Sequence, residues 1–217
     1  MIYRYLNINE LNIDEISERV SLERLKKTEK FKHESDKKRS IAVEYLLNEL
    51  IDEYCNTYSE DMDLRISTPV SLTYDEKGKP HIYANGQDAI HFSLSHSGDY
   101  VACIVSESIC GIDIEKHSDR PYEKILRRVC TESESGFITN VNEFYNLWTL
   151  KEGVLKATGR GLSLDMRSFA FEKEVDGSFS TEVEGIAYRG QVVKAPDGYS
   201  LSYLSIDNNN ICANINI

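Results

Sequence analysis

Apolar positions along the chain fall into stretches of two different periods. "SLERLKKTEKF" (21–31) repeats at helical spacing and predicts a short amphipathic helix with Ser21 as its N-cap. "SDKKRSIAVEYLLNELIDEY" (35–54) predicts a longer helix, capped near Ser35 or Asp36, with Ile41, Tyr45, Leu46, Leu50 and Ile51 on its apolar face. The period then shortens. "HFSLS" (91–95), "YVACIVS" (100–106) and "ICGIDIE" (109–115) are β-branched or aromatic runs broken by turn residues, which predicts three sequential antiparallel strands. "EFYNLWTLKEGVLKAT" (143–158) returns to helical spacing, with Phe144, Leu147, Trp148, Val154 and Leu155 as an apolar stripe and Gly159 and Gly161 as the stop. Residues 169–174, 186–193, 199–205 and 211–217 alternate again like strands. The layout predicts an α+β fold with helices packed on antiparallel sheets. No Pro-, Gly- or Ser-rich linker divides the chain, and no internal repeat is evident.

With 217 residues, 41% of them hydrophobic, the chain can bury a core as one compact unit or two small lobes. No run approaches the ~18 apolar residues of a membrane span. The start, "MIYRYLNINE", has neither a basic run nor a long apolar one, so no secretory leader is expected. Five cysteines (Cys55, Cys103, Cys110, Cys130, Cys212) are scattered without a Cys-x-x-Cys pair, which fits reduced thiols in a cytoplasmic protein. A net charge of −11 argues against a general nucleic-acid binder. The charge is uneven, however. Between Arg19 and Arg39 nine bases meet four acids, a local +5 that leaves −16 for the remainder. Such an island is either a solvated helix face or a specific anion site.

Candidate chemistry centres on "GIDIE" (111–115). In a strand, residues i and i+2 share a face, so Asp113 and Glu115 project together while Ile112 and Ile114 turn toward the core. Two neighbouring carboxylates raise each other's pKa unless a cation stabilises both. In "WTLKEGVLK" (148–156), Glu152 and Lys156 lie one helical turn apart. They form an ordinary surface pair, or Glu152 supplies a third acid to the strand and Lys156 meets an anion beside it. Three oxygen donors without clustered Cys or His favour Mg²⁺ or Mn²⁺, with phosphate oxygens as co-ligands. "SLSHSGDY" (93–100) lacks the G-x-S-x-G spacing of a hydrolase elbow. Its hydroxyls and imidazole suit a phosphate at a strand-to-strand turn, or simply a polar hairpin.

Taken together, "GKP" (78–80), "FSLSHSG" (92–98), "GIDIE" (111–115) and "FYNLWTLKEGVLKATGRGLSL" (144–164) resemble the Sfp-type 4'-phosphopantetheinyl transferases, with "FKHESDKKR" (31–39) fitting upstream. The resemblance spans roughly residues 20–170. It implies a pseudo-twofold fold of two similar lobes, each a small antiparallel sheet packed against helices. Residues 1–107 would carry coenzyme A phosphate and adenine contacts, and residues 108–217 the metal site and the carrier-protein side. It implies transfer of the 4'-phosphopantetheine arm of coenzyme A to a serine of an acyl or peptidyl carrier protein, releasing adenosine 3',5'-bisphosphate.

By the same resemblance, Asp113, Glu115 and Glu152 are metal ligands, with Glu152, Lys156 and Asp113 forming the catalytic set. Lys156 contacts the pyrophosphate, Ser95, His96 and Arg39 the phosphates, and Lys79 with Pro80 the adenine side; Arg24 and Lys27 lie near the 3'-phosphate. Glu134, in "RRVCTESES", falls near a family glutamate. The segment 117–140, with Arg127 and Arg128, is the expected carrier-docking region, on a chain acting as a monomer. A metal-dependent phosphohydrolase using the same acids, or a nucleotide-binding module without chemistry, are the rival functions.

Overall fold

A computed structural model describes residues 1–58, 66–84, 87–119 and 121–207. The strand expected at 211–217, Cys212 and Arg120 of the docking segment lie outside the described residues. The chain resolves into two compact units, Met1–Glu107 and Ser108–Ile217.

The first unit opens with β1 (Ile2–Asn7), followed by α1 (Ile13–Ser17), α2 (Leu22–Thr28) and α3 (Glu34–Tyr58). The strands β2 (Thr73–Tyr74), β3 (Pro80–Ala84), β4 (Gln87–Ser97) and β5 (Tyr100–Ser106) follow. Ser21 caps α2 as its sequence suggests, its hydroxyl accepting from the Arg24 N–H. The sheet runs β1-β5-β4-β3-β2 and is antiparallel throughout. The apolar face of α3 (Ile41, Leu46, Leu47, Leu50, Ile51) packs with Val101, Cys103 and Val105, the alternate residues of β5 that share one face.

The second unit contains β6 (Cys110–Lys116), α4 (Glu123–Val129), α5 (Glu132–Ser135), α6 (Val141–Thr158), β7 (Glu172–Lys173), β8 (Phe179–Val183), β9 (Ile186–Val193) and β10 (Tyr199–Ile206). Its sheet order is β6-β10-β9-β8-β7. Among the described residues, each unit is therefore a strand, three α-helices and four strands, with the first strand paired to the last. This is a repeat of arrangement that the sequence itself does not display. Gly159, at φ 65°, ends α6 in the left-handed conformation that the glycine there suggests.

Two expectations need correction. The runs at 91–95 and 100–106 pair as β4 and β5, but the third does not join them. Both edges of β5 are taken, by β1 and β4, so β6 hydrogen-bonds to β10 instead. Of the alternating stretch 169–174, only Glu172–Lys173 is strand.

Candidate active site

The site is built where α6 crosses β6 and β10. An ideal Cβ on Gly111 would lie 2.0 Å from the Gly153 carbonyl oxygen, so only glycine lets the helix backbone come this close. Across the ladder Gly111 pairs with Leu204, which pairs in turn with Gly190. A Cβ on Gly190 would strike Leu150 of the helix at 2.8 Å, and one on Gly153 would lie 3.1 Å from Leu204. Glycine, leucine and glycine thus form a notch into which the middle of α6 settles.

Because Gly111, Asp113 and Glu115 share a face, α6 covers the side of β6 that bears the acids. The isoleucines turn inward as the strand pattern predicts, and the acid-bearing face is covered as well. Asp113 is only 5% exposed, Glu115 is half-buried, and Ile112 and Ile114 on the opposite face are fully buried as well. Both faces of this strand are covered.

Lys156 spends its ammonium on this strand rather than on its helical neighbour Glu152. Its Nζ donates to Asp113 Oδ1 at 2.7 Å and to the Ile112 carbonyl at 3.1 Å. The surface Glu–Lys pair considered from sequence is therefore not what α6 forms. Burial pushes the Glu152 carboxyl above its ordinary value, the Asp113 charge pushes it further, and Lys156 partly offsets both. Asp113 and Glu152 thus sense each other's charge. Among the described residues, no three His, Cys, Asp or Glu side chains close into a metal-ligand cluster. Oxygen-only donors whose repulsion is relieved here by one lysine nevertheless fit a hard divalent cation, which would stabilise the same charges.

Glu134 proves to have a structural setting. It and Lys151 are both 0% exposed and pair at 2.8 Å. Glu134 also accepts from the backbone N–H of Thr131 and of Phe171, each at 2.8 Å. Lys151 donates further to the carbonyls of Met166 (2.6 Å) and Phe169 (2.9 Å). The pair ties α5, α6 and the 166–171 segment together. Next to it, burial and the Glu134 charge push the Cys130 thiol up to about 11, which leaves it protonated and unreactive.

Within the first unit, the candidate coenzyme A residues divide. Arg24 is committed: its Nε donates to Glu44 Oε2 at 2.6 Å, and Glu44 is 2% exposed and also accepts from the Ser21 N–H. Lys27 is exposed and lies over the Tyr74 ring, 5.6 Å from its centroid. A cavity of about 300 Å³ is lined by Ser21, Arg24, Lys27, Glu44, Leu72 and Tyr74 among others. Arg39 donates to the Gly98 carbonyl at 2.7 Å and pairs with Asp36. The "SHSG" segment is not itself a turn: β4 continues through Ser97, and Gly98–Asp99 makes the turn to β5. Buried Ser95 and exposed His96, being consecutive in a strand, point to opposite faces and do not converge as side chains. Asp75 shapes the loop of Lys79 and Pro80, its Oδ1 accepting from the N–H groups of Lys77 (2.9 Å) and Lys79 (2.8 Å).

The sequence reading overlooked a set of polar residues between α6 and β10: half-buried Asn146 and buried Thr149, Ser200 and Ser202. The alternation of "YSLSYLS" (199–205) is the signal that could have marked the serines.

Comparison with known proteins is consistent across both units. The family described as the 4'-phosphopantetheinyl transferase superfamily matches residues 109–204, and the N-terminal 4'-phosphopantetheinyl transferase family matches residues 10–108. The 4'-phosphopantetheinyl transferase Sfp of Bacillus subtilis is 31% identical over 191 residues, covering 85% of this chain and 75% of that one. The 4'-phosphopantetheinyl transferase ffp of Bacillus subtilis is 30% identical over 189 residues (84% and 79%), and gsp of Aneurinibacillus migulanus is 30% identical over 164 residues (73% and 64%). The chain belongs to the 4'-phosphopantetheinyl transferase superfamily. None of these named relatives is a phosphohydrolase, so that rival function gains no support.

Proposed function

We propose that this enzyme transfers the 4'-phosphopantetheine group of coenzyme A to a serine of an apo carrier protein, releasing adenosine 3',5'-bisphosphate. Similarity to named transferases across both units carries this reading, and the coupled carboxylates with Lys156 supply a chemistry for it. Asp113, Glu115 and Glu152 would hold Mg²⁺ or Mn²⁺. Such an ion supplies Lewis-acid polarisation of the diphosphate.

The chain's own residues account for the remaining work. Lys156, released from Asp113, offsets charge on the departing phosphate. Glu152 accepts the serine proton, and its raised pKa moves it toward the range useful to a general base at neutral pH. The serine oxygen–phosphorus bond forms as the bond from that phosphorus to the bridging oxygen breaks, and the bisphosphate leaves with the electron pair. Lys27, Arg39, Lys79, Pro80, Ser95 and His96 are the proposed coenzyme A contacts. Arg24 belongs to them only through its support of α2. The carrier is proposed to dock on 117–140, where Arg127 and Arg128 of α4 are exposed beside half-buried Ile125 and Leu126. Such a surface offers bases to an acidic partner. The buried thiols of Cys103, Cys110 and Cys130 form no disulfide and fit a reducing cytoplasmic compartment, in which the chain is proposed to act as a monomer.

Incubation with coenzyme A, Mg²⁺ and an apo carrier protein should raise the carrier's mass by one phosphopantetheine; an unchanged mass overturns the assignment. Asp113→Ala should lower transfer at least roughly 100-fold. Its melting temperature should stay near wild type, because Lys156 is 28% exposed and can turn to water. Retained activity would dismiss the metal role.

A further inference from the structure

The acid-bearing face of β6 has a polar counterpart that the transfer chemistry leaves unused. In the ladder, Ser200 of β10 lies opposite Glu115 and Ser202 lies opposite Asp113. Both serines share the face that α6 covers, and they are 3% and 0% exposed. Each reaches the helix. Ser200 Oγ donates to Asn146 Oδ1 at 2.7 Å, and Ser202 Oγ lies 2.7 Å from Thr149 Oγ1. Thr149, also 0% exposed, can spend its own hydroxyl proton on the Asn146 carbonyl at 3.0 Å, which leaves it free to accept from Ser202. His117 adds a third partner, its Nε2 being 3.0 Å from Ser200 Oγ.

Asn146, Thr149, Glu152 and Lys156 follow one another at spacings of three and four, so they form a single stripe along α6. The glycine notch sets how closely the helix approaches the sheet. Apolar packing at Leu150 and Leu204 tolerates small axial slippage, whereas a buried hydrogen bond fails within a few tenths of an ångström. We propose that the Ser202–Thr149 and Ser200–Asn146 bonds are a positioning clamp that fixes the register of α6 on β10, and so holds Glu152 against Asp113 for the divalent cation. This inference rests on the metal reading given above. In this role the four residues act through Glu152.

Thr149→Val keeps the side-chain shape and removes the hydroxyl, Ser202→Ala removes its partner, and the double variant removes both. Thr149→Val leaves the buried Ser202 hydroxyl with only a 3.5 Å approach to the Asn146 main-chain carbonyl, whereas after Ser202→Ala the Thr149 hydroxyl still donates to that carbonyl. Thr149→Val should therefore lose the more stability, and the double variant should recover part of that loss. Its cation site should stay impaired. Mn²⁺ binding in the presence of coenzyme A, read by electron paramagnetic resonance, should weaken roughly 10–100-fold in both single variants and in the double variant. Thr149→Ser should bind Mn²⁺ like wild type, and the KM for coenzyme A should hardly move. A double variant that regains wild-type Mn²⁺ affinity together with its melting temperature would overturn the clamp and leave ordinary packing in its place. Asp113→Ala is the control for the underlying reading. If it binds Mn²⁺ as wild type does, the carboxylates are not the cation site, and the metal assignment falls together with the clamp.

Discussion

The two units share one arrangement, a five-stranded antiparallel sheet with a long helix laid over its first and last strands, yet the helix–sheet interfaces differ in kind. Under α3 the contact is apolar, with Leu46, Leu47, Leu50 and Ile51 against Val101, Cys103 and Val105. Its buried polar residues serve neighbouring loops: Glu44 holds Arg24 and the Ser21 N–H, and Asn48 donates to the Arg19 carbonyl and accepts from the Val70 N–H. Under α6 the corresponding contact carries Asp113, Thr149, Ser200, Ser202 and Lys156, and the helix is drawn in by Gly111, Gly153 and Gly190. One architecture therefore supports a scaffold in one unit and a charged site in the other. The glycines are what reconcile the two demands, because they allow backbone contact where large apolar side chains would otherwise set the spacing.

The strongest test of this contrast is the buried ion pair of the second unit. Glu134→Ala strands Lys151 at 0% exposure and frees two backbone donors, so unfolding in urea should show a loss of about 3–5 kcal/mol. A change near zero would mean that the second unit is not organised around buried charge. Gly111→Ala comes next. Its Cβ would meet backbone at 2.0 Å, and overpacking of this kind costs about 1–3 kcal/mol, with a fall in transfer rate as α6 is pushed off the acids. Should the variant prove neutral, the notch is not tight and the comparison loses its physical cause.

In the first unit the sharper experiment separates scaffold from ligand contact. Lys27→Ala should raise the coenzyme A KM roughly tenfold at unchanged melting temperature, as expected for one charge-assisted contact. Arg24→Met should do the reverse, lowering stability because the buried Glu44 loses its cation and keeps only the Ser21 N–H. The smallest effect concerns pH. The folded-state pKa of Glu152 is raised above 4.5, so between 4.5 and that higher value the native state holds more protons than the unfolded chain. Stability should therefore decline as pH rises through that window when a chelator is present. Denaturation midpoints across the window should flatten in Glu152→Gln and on addition of Mg²⁺.

Local pattern determined much of this protein. The period-3.6 stretches became α2, α3 and α6, the alternating ones became β4, β5, β6, β9 and β10, and Ser21 and Gly159 mark helix ends as their chemistry suggests. The acids of "GIDIE" and the Glu152–Lys156 spacing were also legible, because the i+2 and i+4 geometries that bring them together are properties of a single strand or helix. Tertiary structure alone decided that β6 leaves the sheet of β5, that both faces of the acid strand are covered, that Arg24 answers to Glu44, and that Lys156 answers to Asp113 rather than Glu152. Periodicity records that a face is buried but carries no information about what buries it. Lys156, which pairs with Asp113, and Ser202, its neighbour in the ladder, both lie more than forty positions away along the chain, and only the register of α6 and β10 brings them to it.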